Sequence, residues 1–255
     1  MAGRRRQIRQ AVILAGGAGT RLQPFTKALP KPLMPVGETP IIEVLVRQLA
    51  RDGIREIIVA LGHGAELIRL FLGDGADFGV RIRYVAERRP LGTAGPLRTI
   101  EGLQGDFLVL NGDILTTLDF AEFGRFHLTN GAPVSIAACG RRERSDYGEI
   151  AARGGQVVGY QEKPTRRVDV SMGVYGFSAE ILRYIPRRRF DFPELISTLL
   201  ALELRPAMYR FSGTWLDIGR EDDWRKASRL YSRNPGRFVS TRKRPGAGLR
   251  KQTRR

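Results

Sequence analysis

The chain has 255 residues, of which 42% are apolar, and it carries 43 Lys and Arg against 26 Asp and Glu. This composition is typical of a soluble chain with one sizeable core. No apolar run approaches the roughly 18 residues of a membrane span, and the first run is shorter than the roughly 7 residues of a signal-peptide core. Cys139 is the only cysteine, which excludes an intramolecular disulfide and a thiolate zinc cage. The sequence therefore predicts a cytoplasmic protein held together by packing alone.

The positive charge is concentrated at the two ends of the chain. Four arginines precede Gln10, and residues 225–255 contain twelve basic residues and no acidic one, so the body between them is almost neutral. The ends are poor in apolar side chains, whose burial would have to offset the entropy of ordering. We therefore expect a basic tail at 1–9, a single domain at 10–233, and a disordered basic tail at 234–255 that makes nonspecific contacts with anionic surfaces.

Short apolar runs alternate with helical patterns in the first half of the chain. The runs predict buried strands at 11–15, 57–61, 80–85 and 107–110. Between them, apolar spacing predicts helices at 41–49, 67–71 and 93–101. This order predicts a parallel sheet with helices on both faces, that is, an α/β fold of Rossmann-like three-layer α/β/α architecture.

The second half of the chain is richer in predicted strands and indicates a mixed sheet. Strands are predicted at 134–138, 149–152, 157–160 and 174–177, and helices at 192–204 and 221–231. No internal repeat is visible, including the hexapeptide pattern of a β-helix. We expect this half to complete the same domain.

The first predicted strand ends in a glycine-rich loop, Gly16-Gly17-Ala18-Gly19-Thr20-Arg21. Ligands of open parallel sheets bind beyond the carboxyl ends of the strands. Glycines let backbone N–H groups surround an anion, and Arg21 adds a fork of donors for phosphate oxygens. The loop lacks the Lys-Ser/Thr of a Walker loop, and Leu22 stands where a dinucleotide fingerprint has its third glycine. A phosphate cradle and a plain glycine turn are both open.

A proline-rich segment at 29–36 holds Lys31 between Pro30 and Pro32. Each proline fixes its own φ and biases the preceding residue toward extended backbone, so we expect the lysine on a stiff arm rather than in a helix. Such an arm presents an ammonium group at low entropic cost. A solvated lysine in a loop is the alternative that this segment leaves open.

Together these segments resemble the signature of the sugar-1-phosphate nucleotidylyltransferases, the enzymes that make NDP-sugars. The resemblance covers residues 10–231 and is carried, in the family's order, by LAGGAGTRL at 14–22, PKPL at 30–33, LGTAG at 91–95, NGD at 111–113, YG at 147–148, EKP at 162–164, GVY at 173–175 and WLDIG at 215–219. It implies that a sugar-1-phosphate oxygen attacks the α-phosphorus of an NTP and expels pyrophosphate. Such an enzyme aligns two polyanions and needs no nucleophile of its own.

The resemblance also implies roles for residues on the nucleotide side. Arg21 would stabilise the departing pyrophosphate, and Lys31 would reach the phosphate under attack. The triphosphate would be bound by Gly16, Gly17, Gly19, Thr20 and Arg21. The base would be selected by backbone at the end of the first strand, near Leu14, and by Glu87 with Gly92.

On the sugar side, the resemblance implies that Lys163 holds the sugar phosphate and that Glu162 accepts hydrogen bonds from sugar hydroxyl groups. Tyr147, Gly148 and Ser171 would complete this subsite. Ser171 stands where many members of the family have an asparagine, so we expect the contact with a sugar hydroxyl group at this position to be shorter or bridged by water.

Two aspartates are candidate ligands of Mg²⁺, the cofactor that the resemblance implies. Asp113 follows the predicted strand 107–110 at the ligand end of the sheet, a position that favours a metal ligand over a turn aspartate. Asp217 is assigned to the same metal ion by the resemblance alone.

The preferred substrates are GTP and mannose 1-phosphate, because Glu87 and the LGTAG run resemble guanylyl-transferring members of the family. A glucose-1-phosphate thymidylyl- or uridylyltransferase is the alternative. Two interpretations belong to other classes: a degenerate scaffold that binds nucleic acid through its basic tails, and a nicotinamide-dependent oxidoreductase, whose fingerprint lacks its third glycine here. The oligomeric state stays open, a homo-oligomer included.

Overall fold

The computed structural model describes residues 6–17, 19–62, 64–87 and 89–239. Within these ranges the strands are β1 Gln10–Ala15, β2 Pro35–Val36, β3 Thr39–Pro40, β4 Glu56–Leu61, β5 Arg81–Ala86, β6 Asp106–Asn111, β7 Ile114–Thr116, β8 Val134–Arg144, β9 Glu149–Arg153, β10 Gln156–Gln161, β11 Thr165–Ser178, β12 Ala207–Phe211 and β13 Trp215–Asp217. The α-helices are α1 Phe25–Ala28, α2 Ile41–Arg51, α3 Ala65–Leu72, α4 Phe120–Asn130, α5 Phe192–Ala201 and α6 Glu221–Arg233. None of the described helices is long and apolar enough to cross a membrane.

A seven-stranded sheet forms the centre of the described chain, in the order β12-β8-β11-β6-β1-β4-β5. The strands β5, β4, β1 and β6 pair in parallel, and β12 pairs in parallel with β8. Within this sheet, β11 is the one described strand that runs antiparallel to both of its neighbours, β6 and β8. The sheet is therefore mostly parallel, as the alternation of strands and helices predicts.

Side chains along β1 alternate between two apolar layers. Ala11 and Ile13 pack into a core with α2, α3 and α4, whereas Val12 packs on the opposite face with α5. Parallel strands covered by helices on both faces are apolar throughout, which explains the unbroken run in the sequence. The predicted three-layer α/β/α architecture is confirmed.

The second half adds a long pair of strands and an exposed hairpin. The strands β8 and β11 pair antiparallel, with an irregularity in register between Ser171 and Tyr175. The hairpin of β9 and β10 lies between them in the chain, and Ile150, Val157 and Tyr160 are exposed on it. The mixed, strand-rich second half is confirmed.

Helix α3 turns a different face to the core from the one that its spacing suggests. Leu67 and Phe71 mark the helix in the sequence, yet both are exposed, and Ile68 and Leu72 are buried instead. Apolar residues occur on both sides of this helix, so their spacing predicts the helix without fixing its rotation.

The helix predicted at 93–101 is wrong in extent, because the structure has only a short 3-10 helix at Gly95–Thr99. The N–H groups of Ala94 and Gly95 donate to the carbonyl of Phe190, at 3.0 and 2.9 Å. These bonds reach a loop that is distant in sequence, so the local pattern carries no trace of them.

Both ends of the described chain pack on the body more closely than the predicted tails imply. Ile8 is buried in the core beside α4. Phe238 is 2% exposed, its ring centroid lies 5.6 Å from that of Tyr231, and its carbonyl accepts a hydrogen bond from Nε2 of Gln48 at 3.0 Å. The folded part thus includes residues 6–9 and 234–239. The remaining parts of the two predicted tails, residues 1–5 and 240–255, lie outside the described residues.

Truncation tests where the folded domain ends. A variant that ends at Val239 is expected to keep the kcat and the free energy of unfolding of the full chain, because residues 240–255 contain a single large apolar side chain. A variant that ends at Asn234 loses the anchor Phe238 and is expected to lose about 3 kcal/mol of unfolding free energy, measured by urea denaturation. Phe238→Ala in the full chain is the matched control. Equal stability of the two truncated variants, or a loss of kcat at Val239 that persists in moderate salt, contradicts the expectation.

Candidate active site

The carboxyl ends of the parallel strands β1, β4, β5 and β6 open into a cleft of about 710 Å³ at one edge of the sheet. This is the place where open α/β sheets bind their ligands. The predicted metal ligand Asp113 lines the cleft. So do five of the predicted nucleotide-binding residues, namely Leu14, Gly16, Gly17, Glu87 and Gly92.

The first two glycines of the loop lie where β1 and β4 end close together. A Cβ on Gly62 would lie 2.8 Å from the Cα of Gly16, and a Cβ on Gly16 would lie 2.8 Å from Oε1 of Glu87. A Cβ on Gly17 would meet no described atom within 4 Å, and this residue lines the cleft. The close approach of the two strand ends therefore requires glycine at 62, and the backbone at 17 is left accessible to a ligand.

The rest of the loop is fixed by contacts with the segment that follows it. Gly19 has a φ of 63°, and its carbonyl accepts a hydrogen bond from Oγ1 of Thr26 at 2.7 Å. Thr20 is exposed and begins a single 3-10 turn at Thr20–Leu22. The backbone around the predicted triphosphate site is thus shaped before any ligand arrives.

Arg21 extends from this turn toward the segment that follows β13. A Cβ on Gly219 would lie 3.5 Å from each of the two terminal nitrogens of Arg21. It would also lie 3.5 Å from Oδ2 of Asp217. The exposed guanidinium of Arg21 therefore lies beside the Asp217 carboxylate, and nothing in the sequence spacing reveals this proximity.

Lys31 is buried, with 8% of its surface exposed, and its ammonium group forms an ion pair with Oδ2 of Asp113. The solvated lysine considered as an alternative is thereby excluded. Lys31 begins a one-turn 3-10 helix at Lys31–Leu33, so the prediction that it avoids helical backbone is wrong. Pro32 fits the second position of this turn, since an N–H group there has no partner within the helix.

Pairing of β7 with β13 brings Asp113 and Asp217 together. The N–H of Ile218 donates to the carbonyl of Asp113 at 3.0 Å. Burial, and then the negative charge of Asp113, raises the pKa of Asp217, while the positive charges of Lys31 and Arg21 oppose that rise. Arg21, Lys31, Asp113 and Asp217 thus come from four separate segments and form what we call the charged cluster.

The charged cluster fits Mg²⁺ held jointly by protein and substrate. The described residues contain no group of three or more His, Cys, Asp or Glu side chains that could hold a metal ion alone. Mg²⁺, however, typically takes one or two carboxylates and completes its shell with phosphate oxygens and water. Burial is the main cause of the raised pKa of Asp217, and the charge of Asp113 is the second, so the two carboxylates interact as shared ligands of one divalent ion would.

The loop at 87–92 borders another part of the cleft. Oε2 of Glu87 accepts a hydrogen bond from the N–H of Leu91 at 2.9 Å, and burial raises the pKa of Glu87. Gly92 has a φ of 81°, and a Cβ there would lie 2.7 Å from Oδ1 of Asp191. The same Asp191 oxygen accepts a hydrogen bond from the N–H of Thr93 at 2.8 Å. Asp191 therefore positions the loop.

Three charged residues that line the cleft were missed in the sequence: Arg89, Arg189 and Asp191. The Asp-Phe-Pro-Glu run at 191–194 is a helix-capping signal and could have marked Asp191 as the start of α5, where a capping box is present. The two arginines lie in loops without regular structure, and no sequence signal distinguishes them from solvated arginines.

The residues predicted to hold the sugar phosphate lie mostly around the hairpin of β9 and β10. Gly148 and Glu162 are neighbours, since a Cβ on Gly148 would lie 2.9 Å from Oε2 of Glu162. Tyr147 and Lys163 are exposed, and Lys163 has a φ of 43°. No hydrogen bond or ion pair found in the described chain joins these four to the charged cluster. Their role in substrate binding stays a prediction.

Ser171, the fifth residue of this set, begins a segment that lies nearer to the cleft. Nε1 of Trp215 donates to the carbonyl of Met172 at 2.9 Å. Gly173 has a φ of 69°, and a Cβ there would lie 2.8 Å from Cγ of Asn111. The segment 171–173 is therefore held between the end of β6 and β13, the elements next to the two aspartates.

Comparison with known proteins gives a consistent family assignment. A family model described as nucleotidyl transferase matches residues 10–234. The mannose-1-phosphate guanyltransferase of Yarrowia lipolytica is 34% identical over 248 residues, which cover 91% of this chain and 68% of that protein. The mannose-1-phosphate guanylyltransferase catalytic subunit beta of Danio rerio is 33% identical over 249 residues, covering 94% and 69%.

A solved structure agrees with this assignment. HddC from Yersinia pseudotuberculosis, complexed with GMP-PN, is 25% identical, has a TM-score of 0.69, and covers 88% of this chain and 100% of its own. The similarity extends over the body that carries the glycine loop and the charged cluster. The predicted family is confirmed, and the chain belongs to the nucleotidyl transferase family, as a sugar-1-phosphate nucleotidyltransferase enzyme.

Proposed function

We propose that the protein transfers GMP from GTP to mannose 1-phosphate and releases pyrophosphate. The observation that carries the choice of base is the position of Glu87. Its carboxylate is half-buried in the cleft wall, Oε2 is fixed by the N–H of Leu91, and Oε1 lies next to the accessible backbone of Gly16. A carboxylate fixed in this way can accept hydrogen bonds from both the N1–H and the amino group of guanine. The guanylyltransferase names of the relatives support the same choice.

The proposed reaction needs positive charge at the point where two phosphate groups meet. An oxygen of the sugar phosphate attacks the α-phosphorus, a new P–O bond forms, and the bond to the β-phosphate oxygen breaks. Lys31 would stabilise the charge on the α-phosphate, and Arg21 the charge on the departing pyrophosphate. Both cations already lie in the charged cluster, so little reorganisation is required.

Asp113 and Asp217 would hold Mg²⁺ in this reaction. When bound, the ion neutralises phosphate charge and orients the phosphate groups. Lys31 pairs with Asp113, and this pair keeps the ammonium group within the cluster. The ammonium group of Lys31 would therefore lie close to a phosphate group bound at this cluster.

The sugar phosphate would be held by Lys163, and the sugar hydroxyl groups by Glu162. Because Lys163 has a positive φ, its side chain leaves the backbone in a different direction from that of a residue in a regular strand. Tyr147, Gly148 and Ser171 belong to the same proposed subsite. The support for these five residues is the resemblance of their motifs, together with the neighbouring positions of Gly148 and Glu162.

A panel of NTPs and sugar 1-phosphates, assayed by pyrophosphate release, tests the substrates. We expect GTP with mannose 1-phosphate to give the highest kcat/KM, at least about tenfold above dTTP or UTP. In the matched variant Glu87→Gln, the amide oxygen retains the hydrogen bond from Leu91. The NH₂ group faces the hydrogen-bond donors of guanine and cannot accept from them, so the preference for GTP is expected to fall about tenfold. A higher kcat/KM with dTTP or UTP refutes the choice of base and favours a glucose-1-phosphate thymidylyl- or uridylyltransferase.

A further inference from the structure

A second cleft, of about 760 Å³, lies beside the nucleotide cleft on the other side of the loop at 87–92. Its volume is in the range of small-molecule sites. It is bordered by the end of the edge strand β5 and by the 3-10 helix Gly95–Thr99. Four arginines line it, namely Arg89, Arg98, Arg187 and Arg188.

The arginines of this cleft are poorly compensated by carboxylates. Arg89, Arg98 and Arg187 form no ion pair with any described carboxylate, and the undescribed residues contain no Asp or Glu. The two glutamates that line the cleft are Glu87, which is bound to Leu91, and Glu101. The cleft therefore carries a net positive charge.

Three of these arginines lie on the loops that shape the nucleotide cleft, and Arg98 alone lies elsewhere. The N–H of Phe190 donates to the carbonyl of Leu91 at 2.9 Å, which joins the arginine run at 187–189 to the loop at 87–92. Arg89 lines both clefts, whereas Arg98 and Arg187 line only the second one. The two clefts therefore share this wall.

We propose that the second cleft is a regulatory site for a nucleoside polyphosphate and that its occupation weakens binding of the substrate NTP. Guanidinium groups bind phosphate oxygens in bidentate pairs, and several of them converge here without carboxylate partners. Val85, Leu91 and Ile100 supply apolar wall for the nucleoside part. The chemistry of the lining therefore matches both halves of a nucleotide.

The direction of the coupling follows from Arg89. The guanidinium group of Arg89 cannot pair fully with an anion in each cleft at the same time. A ligand that pairs with it in the second cleft therefore weakens its interaction with the substrate NTP. The KM for the NTP rises, the KM for the sugar phosphate stays the same, and the substrate NTP weakens the regulatory ligand by the same factor.

Direct binding separates the two clefts. GDP, which can contact both the arginines and the apolar wall, and inorganic tripolyphosphate, which can contact only the positive groups, are titrated calorimetrically into the substrate-free protein. The double variant Arg98→Gln/Arg187→Gln is expected to bind one equivalent of GDP fewer than the wild type, and to bind tripolyphosphate more weakly. Arg205→Gln/Arg229→Gln is the matched control, because both arginines are exposed and line neither cleft. Equal stoichiometry of GDP in the wild type and in the Arg98/Arg187 variant overturns the proposal.

Kinetics test the coupling with whichever NTP the substrate panel selects, so the outcome does not depend on the choice of GTP. In the wild type and the control, GDP is expected to raise the KM for the NTP beyond simple competition, by about a further fivefold. The Arg98/Arg187 variant is expected to keep the basal kcat and to lose this additional component. Identical inhibition by GDP in all three proteins overturns the proposed regulation.

Discussion

Replacement of Asp113 by asparagine is expected to lower kcat roughly 100- to 1,000-fold and to leave the free energy of unfolding almost unchanged. The amide has a similar shape but removes one anionic ligand of Mg²⁺, which weakens the stabilisation of phosphate charge by several kcal/mol. Stability is preserved because Lys31 keeps a second carboxylate partner nearby, Asp217, and because the repulsion between the two aspartates is relieved. Pyrophosphate release and urea denaturation measure the two quantities.

The matched control is Asp77→Asn, since Asp77 is exposed in a short 3-10 helix away from the cleft. Excess chelator is expected to reproduce the loss of turnover in the wild type, and added Mg²⁺ to reverse it. If a well-folded Asp113→Asn protein, or the wild type in excess chelator, releases pyrophosphate at the normal rate, Asp113 is not a metal ligand.

The central architecture could be predicted because it depends on local pattern. The run at 11–15 is apolar throughout, since β1 is covered on both faces, and the glycines that follow mark the place where β1 ends beside β4. Adjacent residues therefore predict the kind of strand, the place where it ends and the loop that follows it. The sequence left the function of the loop open between a cradle and a turn, and the resemblance favoured the cradle.

The composition of the charged cluster could not be predicted from spacing. Asp113 and Asp217 meet only because β13 returns to pair with β7. Lys31 reaches Asp113 from a turn that local proline rules assign to extended backbone. Pairing of segments so distant in the chain is decided by tertiary packing, so only the family resemblance could group these residues beforehand.

The errors have the same origin. Leu67 and Phe71 gave the period of α3 but not its buried face, because the helix is apolar on both sides. The segment after Gly92 is held by Phe190 and Asp191 rather than by its own helical bonds. Arg187 and its neighbours form a cleft wall only through these same long-range contacts.

Replacement of Lys31 by methionine is expected to have the largest effect of all, lowering kcat/KM about 1,000-fold and also destabilising the substrate-free fold. The catalytic loss follows from removal of the cation nearest to the proposed reaction centre. The loss of stability follows because Asp113 and Asp217 are left side by side without the ammonium group that pairs with Asp113. A full break of a buried pair costs about 3–5 kcal/mol, and since a quarter of the Asp113 side chain is exposed, we expect about 1–3 kcal/mol.

The double variant Lys31→Met/Asp113→Asn separates these two effects. Removal of the Asp113 charge relieves the repulsion, so the double variant is expected to regain most of the lost unfolding free energy while its turnover stays as low as that of Lys31→Met. Lys27→Met, a substitution of an exposed lysine on α1, is the control for loss of a lysine as such. The ion pair does not hold the cluster together if Lys31→Met is as stable as the wild type. The same conclusion follows if the double variant is less stable than both single variants. If Lys31→Met keeps kcat/KM within a few-fold of the wild type, the lysine does not act on the phosphate under attack.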